Sequence, residues 1–339
     1  MEAAQVHVFE PRQGPPTYGD QRWRRALEGS LRLATASVRF PAFLTVCAGV
    51  VGALSWQDAP AALPLPFLAA VLLGIVAIGL GVLGILRLRV LRSAVADAYP
   101  VMFAAGDLRA AGRRLSVPLD GDTRAVVSLP RYWQSLIARE GKVWVIRSGD
   151  RVFVFPPGSV FPARGRARAG SPVGEPVRPS AGDEISAGLR DSRRQYASGV
   201  LGWFGGLACA VWALLTMPPG QAYFAVVALF FGIACLLVLV RLVWTFESFR
   251  AAVRRGGWTR GDATVTEGAR ATRGWLSVPG VGQWAVRFAM VHPSVLAAIE
   301  ESGTIWVLGG LRGRSAVIGL PGYPFLSVIG IDKAETAVG

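Results

Sequence analysis

The chain has 339 residues, of which 52% are hydrophobic, and its mean hydropathy is +0.41. This average is too high for an ordinary soluble protein and too low for a bundle that lies wholly in lipid, so it predicts spanning helices together with water-soluble segments. The formal net charge of +14 indicates an anionic partner, either a membrane surface or a nucleic acid, and the positions of the charges must decide between them.

The amino-terminal region, residues 1–37, precedes the first apolar run. Residues 1–21 are rich in Pro, Gly and Gln, which predicts disorder. From residue 21 to residue 40, apolar side chains recur at spacings of three and four among arginines, a pattern typical of a basic amphipathic helix in the membrane interface. The alternative is a tail whose arginines only set the topology.

Four apolar runs predict four transmembrane helices, arranged as two hairpins at residues 38–90 and 197–248. The run from Phe67 to Leu86 has no charged residue, and about 20 apolar residues match the hydrocarbon thickness of a bilayer. The other three runs cover residues 41–56, 197–217 and 223–244. Neither short turn, at 57–63 or at 218–221, contains Lys or Arg. The positive-inside rule therefore predicts a multi-pass protein of the cytoplasmic (plasma) membrane with both termini in the cytoplasm.

Arginines crowd the opposite ends of these runs and predict contact with anionic lipid headgroups. They are Arg22, Arg24, Arg25, Arg32, Arg39, Arg87, Arg89, Arg92, Arg190, Arg193, Arg194, Arg250, Arg254 and Arg255. Most of the excess positive charge lies in these stretches and in residues 163–194 rather than in the regions that follow the hairpins, which favours a membrane surface over nucleic acid.

Small residues recur at heptad spacing in the apolar runs and predict close helix packing. The candidate packing residues are Gly74, Ala77, Gly81, Gly84, Gly199, Gly202, Gly206, Ala228 and Gly232. Two interpretations stay open: these seams hold the bundle together, or one of them mediates homo-oligomerisation.

Each hairpin is followed by a region with the alternation of β-strands, at residues 91–162 and 249–339. The first region predicts strands at 101–107, 113–119, 123–129, 142–147 and 151–155, with a helix at 132–140. The second predicts strands at 262–268, 274–278, 283–290, 304–308 and 315–320, with a helix at 293–302. Residues 163–196, rich in Pro, Gly, Ser and Arg, predict a flexible basic linker followed by a pre-membrane helix.

Short sequence matches indicate an internal duplication. Leu115-Ser116-Val117-Pro118 recurs as Leu276-Ser277-Val278-Pro279, and Trp144 in the first copy corresponds to Trp306 in the second. Three strands, a helix and two strands are the element order of a five-stranded OB-type barrel. The predicted fold class is thus membrane α + β: four transmembrane helices as two duplicated hairpins, each followed by a small cytoplasmic OB-like β-domain. An SH3-like or pleckstrin-homology-like domain is the alternative.

The sequence lacks the residue sets that carry most enzyme chemistry. His7 and His292 are the two histidines, and Cys47, Cys209 and Cys235 all lie in apolar runs, so no His/Cys metal spacing and no catalytic triad can be assembled. No phosphate-binding glycine loop is present. We therefore expect no catalytic, cofactor-binding or metal-binding residues and no enzymatic activity.

The pattern favours a scaffold, assembly factor or regulator whose paired cytoplasmic β-domains bind other proteins. Its predicted partners are the anionic bilayer surface, another protein through the β-domains, and a second copy of the chain. The alternative is a small transporter or permeability subunit that works as an oligomer, although the predicted spans carry no Asp, Glu, Lys or His in their middle.

Overall fold

The computed structural model describes residues 6–11, 23–25, 27–31, 35, 38, 42, 65–95, 98–171, 174–179, 200, 203–208, 210–211, 214–215, 222–266, 273–280, 282–288, 291–312 and 314–332. The chain forms two compact units. The first, called the β unit, comprises Met1–Leu27, Arg92–Asp191 and Ser248–Gly339. The second, called the helical unit, comprises Glu28–Leu91 and Ser192–Glu247.

Four helices have defined bounds. They are α1 (Leu65–Val95), α2 (Arg131–Glu140), α3 (Ala222–Arg255) and α4 (Pro293–Ser302). Within α3, the segment Ala228–Arg255 has a mean hydropathy of 2.3 and is long and apolar enough to cross a membrane. Apolar side chains along it, such as Phe230, Leu237 and Val240, are exposed. This segment associates the chain with a membrane by its length and composition.

The prediction of four transmembrane helices is wrong. In the part of the chain that the structure describes, Ala228–Arg255 is the single segment that meets the requirement for a span. The predicted spans at 41–56 and 197–217 lie largely outside the described residues, as do the side chains of residues 65–74 in α1. An apolar run shows that side chains avoid water, but it does not show whether lipid or a neighbouring helix covers them.

The first sheet of the β unit has eight strands: β1 (Val101–Ala104), β2 (Arg109–Ala111), β3 (Arg114–Pro118), β4 (Thr123–Ser128), β5 (Lys142–Ser148), β6 (Arg151–Phe155), β7 (Ala163–Ala169) and β8 (Glu175–Pro176). Their order is β1-β5-β6-β7-β4-β3-β2-β8. A single 3-10 turn, Ala105–Asp107, separates β1 from β2 in the chain although they lie far apart in the strand order. The sheet must therefore curl into a half-barrel.

The second sheet is a closed barrel of six strands: β9 (Trp258–Thr266), β10 (Arg273–Val278), β11 (Gly282–Arg287), β12 (Thr304–Arg312), β13 (Ser315–Gly319) and β14 (Leu326–Ile331). Their order around the barrel is β10-β11-β14-β13-β12-β9. Helix α4 lies in sequence between β11 and β12, as α2 lies between β4 and β5.

The two sheets share one pairing scheme. Strands β3, β4, β7, β6 and β5 follow one another in the half-barrel as β10, β11, β14, β13 and β12 do in the barrel. In the barrel, Asp262 of β9 pairs with both Ser277 and Thr304. In the half-barrel two strands share these two pairings. Ala104 of β1 pairs with Lys142 of β5, and Arg109 of β2 pairs with Ser116 of β3. The residues inserted between β1 and β2 therefore open a ring that is closed in the second sheet.

These sheets correct the prediction of two five-stranded OB-like barrels. The first sheet is a half-barrel, and the second has six strands because β14 follows the five predicted ones. Strand β7 also takes up the beginning of the predicted linker at 163–196. The composition of the Arg-Gly-Arg-Ala-Arg-Ala run predicts a linker, but the run has the period of two of a strand, with Gly165 in the interior and the arginines outside.

Each sheet encloses a core of its own. The first core includes Leu108, Leu115, Val117 and Ile137, and the second includes Leu276, Val278, Val286 and Ile305, all of them buried. Alternate residues of β4 enter the first core, as expected for a strand with one covered face. In β5 and β6 four consecutive residues are buried, so both faces of these two strands are covered.

Candidate functional site

Two predicted packing residues of the helical unit lie against small or aromatic neighbours. A Cβ added at Gly206 would stand 3.1 Å from Cys235 Sγ, and one at Gly232 would stand 3.3 Å from Ala210 Cβ. The side chain of Cys235 is buried. Close approach of this kind is what small residues permit between helices.

The remaining packing residues differ in their surroundings. Gly81 lies against Val38, whose methyl group occupies the place that a side chain would need, whereas Gly84 has open space around it. Ala228 is half-buried. Gly199 and Gly202, and the surroundings of Gly74 and Ala77 on α1, lie outside the described residues.

The predicted headgroup arginines are exposed wherever the structure describes them. These are Arg24, Arg25, Arg87, Arg89, Arg92, Arg250, Arg254 and Arg255. The guanidinium Nε of Arg255 donates to the carbonyl of Ala251 on the preceding turn, 3.1 Å away. Arg22, Arg32, Arg39, Arg190, Arg193 and Arg194 lie outside the described residues.

Helix α2 joins the half-barrel to the barrel within the β unit. The ring of Trp133 lies 5.4 Å from that of Phe325, which is in the loop between β13 and β14. Arg139 Nη2 donates to the carbonyl of Gly322 at 2.9 Å, and its guanidinium lies 5.4 Å from the centre of the Tyr323 ring. Aromatic contacts and cation–π pairs of this kind stabilise an interface beyond the area they bury.

Consecutive residues of α2 belong to different cores. Leu136 and Ile137 are both fully buried, but Leu136 is part of the barrel core and Ile137 is part of the half-barrel core. The backbone N–H of Val160 also donates to Ser294 Oγ, 3.0 Å away at the start of α4. The half-barrel and the barrel therefore contact each other directly, through α2 and through Val160.

The amino-terminal segment, residues 6–11, contacts both sheets. Val6 and Val8 pack against the barrel core, and His7 Nε2 lies 3.1 Å from Glu301 Oε2. On the half-barrel side, Lys142 Nζ lies 2.7 Å from Glu10 Oε2. Residues 1–21 are predicted to be disordered, but residues 6–11 are ordered because their apolar side chains pack against the barrel core.

Two titratable groups at this interface are shifted by burial. Burial lowers the pKa of His292 from 6.5 to about 4, and its Nδ1 accepts a hydrogen bond from the backbone N–H of Ser294. Burial, followed by the neighbouring Glu140 carboxylate, raises the pKa of Tyr323 above its ordinary value. Both groups stay neutral at physiological pH, and they serve the packing of the interface.

Strand β1 exposes apolar side chains at the end of the half-barrel. Val101 is 53% exposed and Met102 47%, and Tyr99, two residues before the strand, is 58% exposed. The strand pairs with β5 on one side, and among the described residues no strand pairs with its other side. Free edges of this kind accept an added strand from another chain.

Five arginines that were not among the predicted site residues lie together on the outer face of the half-barrel: Arg124, Arg151, Arg164, Arg166 and Arg168. The sequence does hold a signal for them, since arginines alternate with Gly and Ala from 164 to 168, and alternation with small residues is a strand pattern.

Within the described residues, no group of three or more His, Cys, Asp and Glu side chains could hold a metal ion. No protein-family model, no curated protein and no solved structure matches the chain.

Proposed function

We propose that this chain is a non-enzymatic membrane-associated protein that acts as a scaffold, assembly factor or regulator by binding other proteins through its β unit. The observation that carries the proposal is the edge of β1, where the exposed apolar side chains of Val101 and Met102 accompany an unpaired strand side in the described part of the chain. Monomeric proteins usually blunt such edges with charges or cover them.

Two further features support the proposal. The half-barrel and barrel share the interface at α2, which gives a binding surface larger than either sheet alone. The apolar segment Ala228–Arg255 keeps this surface at a membrane, which we take to be the cytoplasmic face of the plasma membrane because of the arginines at the end of α3.

The test is a comparison of two variants of the full chain, purified in mild detergent with the proteins bound to it. Met102→Lys places a charge on the free edge, where it opposes strand addition. Thr264→Lys adds the same charge at an exposed position on β9, a strand paired with both β10 and β12. We expect a stoichiometric partner of the parent protein to remain with Thr264→Lys and to be lost from Met102→Lys. A partner held equally by both variants, or solute transport without any partner, contradicts the proposal.

A further inference from the structure

The outer face of β7 carries three arginines in a row. Arg164, Arg166 and Arg168 are exposed, whereas Gly165 is buried between them and Ala167 is half-buried. Alternate residues of a strand share one face and stand about 7 Å apart. The three arginine side chains therefore project from one strand on the same side of the sheet.

The neighbouring strands add two more arginines to this face. Arg124 of β4 lies directly opposite Arg168, and Arg151 of β6 lies directly opposite Arg166. Neighbouring strands are about 5 Å apart, so the five Cα atoms fit within roughly 13 by 10 Å. We call these five residues the arginine face.

The arginine face has no anionic partner among the described residues. None of its five side chains forms an ion pair or a side-chain hydrogen bond there, whereas Arg147, nearby on β5, pairs with Asp120 at 2.7 Å. The Nη1 atom of Arg124 is buried and has no hydrogen-bond acceptor. Like charges directly opposite each other destabilise a sheet, and a buried donor without an acceptor also costs free energy. Both costs are offset when an oxyanion lies between the guanidinium groups.

We propose that the arginine face binds the phosphate groups of anionic lipid headgroups. This rests on the proposed function only in taking the chain to lie at a membrane. Guanidinium groups match phosphate oxygens in a bidentate manner, and basic side chains near an anionic membrane each add to its affinity.

The rest of the face disfavours other occupants. Phe153, opposite Arg164, is buried, and Val126, opposite Arg166, is half-buried, so the face offers no exposed aromatic ring. Single-stranded nucleic acid is normally held by aromatic stacking, and protein interfaces by buried aromatic or aliphatic anchors. Strand β7 is paired on both sides, by β4 and β6, so it has no edge to accept a peptide strand.

The experiment uses the full chain in a nonionic detergent, titrated with dioctanoyl phosphatidylglycerol or dioctanoyl phosphatidylcholine, with bound lipids counted by native mass spectrometry. One variant carries Arg164→Gln, Arg166→Gln and Arg168→Gln. The matched control carries Arg178→Gln, Arg273→Gln and Arg314→Gln, three exposed arginines that lie outside the arginine face. Both variants lose the same charge and keep the same arginines next to the membrane, so the difference between them measures the arginine face.

We expect the first variant to lose phosphatidylglycerol bound by the parent and the control. Each arginine near an anionic surface accounts for about fivefold in affinity, so the Kd of that lipid rises about 100-fold. Phosphatidylcholine binding stays unchanged. Equal phosphatidylglycerol binding by the two variants overturns the proposal. It is also overturned if the first variant keeps the lipid but loses a polyglutamate peptide or a single-stranded oligonucleotide that the parent binds.

Circular dichroism and thermal unfolding verify that the variants fold. If the triple variant does not fold, Arg166→Gln serves alone, because it removes a repulsion with Arg151 and is expected to raise the Kd about fivefold. Failure of the proposed protein-binding function is seen separately, as a partner held equally by Met102→Lys and Thr264→Lys, and it leaves the difference in phosphatidylglycerol binding between the arginine variants unchanged.

Discussion

Truncating Leu136 tests the shared interface of the β unit most sharply. This residue is in α2, between two strands of the half-barrel, but its fully buried side chain is part of the barrel core. Replacing a buried leucine by alanine costs about 2–5 kcal/mol, because apolar contacts are lost and a cavity remains. We therefore expect Leu136→Ala to destabilise strands that lie more than a hundred residues away in sequence.

The neighbouring Ile137→Ala is the matched control. Ile137 is equally buried and on the same helix, but it is part of the half-barrel core. Hydrogen exchange measured by mass spectrometry on peptides of the full chain distinguishes the two variants. A loss of about 3 kcal/mol speeds exchange about 100-fold in the core affected. Leu136→Ala should act on β10 to β14 and Ile137→Ala on β3 to β6. If both variants act only on the half-barrel, the assignment of Leu136 to the barrel core is refuted.

Two other perturbations have definite expected outcomes. Gly165→Ala places a Cβ 2.5 Å from the carbonyl oxygen of Val126, so it should lower the free energy of unfolding by roughly 1–3 kcal/mol in urea, whereas Gly84→Ala has open space and should not. For His292, the folded-state pKa of about 4 lies below the ordinary 6.5, so the unfolded chain binds more protons between those values. Stability should fall by up to about 3 kcal/mol as the pH drops from 6.5 to 4. In His292→Asn, which keeps an acceptor for the Ser294 N–H but does not titrate, this part of the pH dependence should disappear; its persistence would exclude His292 as the cause.

The β elements were largely predictable, because their signals are local. Helix α4 has the predicted bounds: Pro293 begins it, and Gly303, at φ 64°, ends it in the left-handed conformation that glycine tolerates. Gly141 ends α2 in the same way, at φ 73°. The strands flanked by Gly and Asp were also predictable, because these residues are local signals for the end of a strand.

The predictions that were wrong depend on which strands pair over long distances in sequence and on what surrounds an apolar helix. The composition of β7 predicts a linker, because its side chains are mostly charged or small. Its pairing with β4 and β6 makes it a central strand. The opening of the half-barrel depends on the residues between Ala104 and Arg109, whose effect on the ring is not visible in a local pattern. The four predicted spans came from apolar runs, which do not identify what covers a helix. The arginine face could not be predicted from a local pattern, because strand pairing brings Arg124, Arg151 and Arg166 together.

The association of the chain with a membrane is the claim on which the whole account depends, and carbonate extraction of cell membranes tests it most directly. We expect the full chain to stay in the membrane pellet. A variant with Leu236→Arg and Leu237→Arg, two exposed apolar positions of α3, should leave the pellet, whereas Thr259→Arg with Thr264→Arg on β9 should not. Release of the unmodified chain into the supernatant would contradict the account.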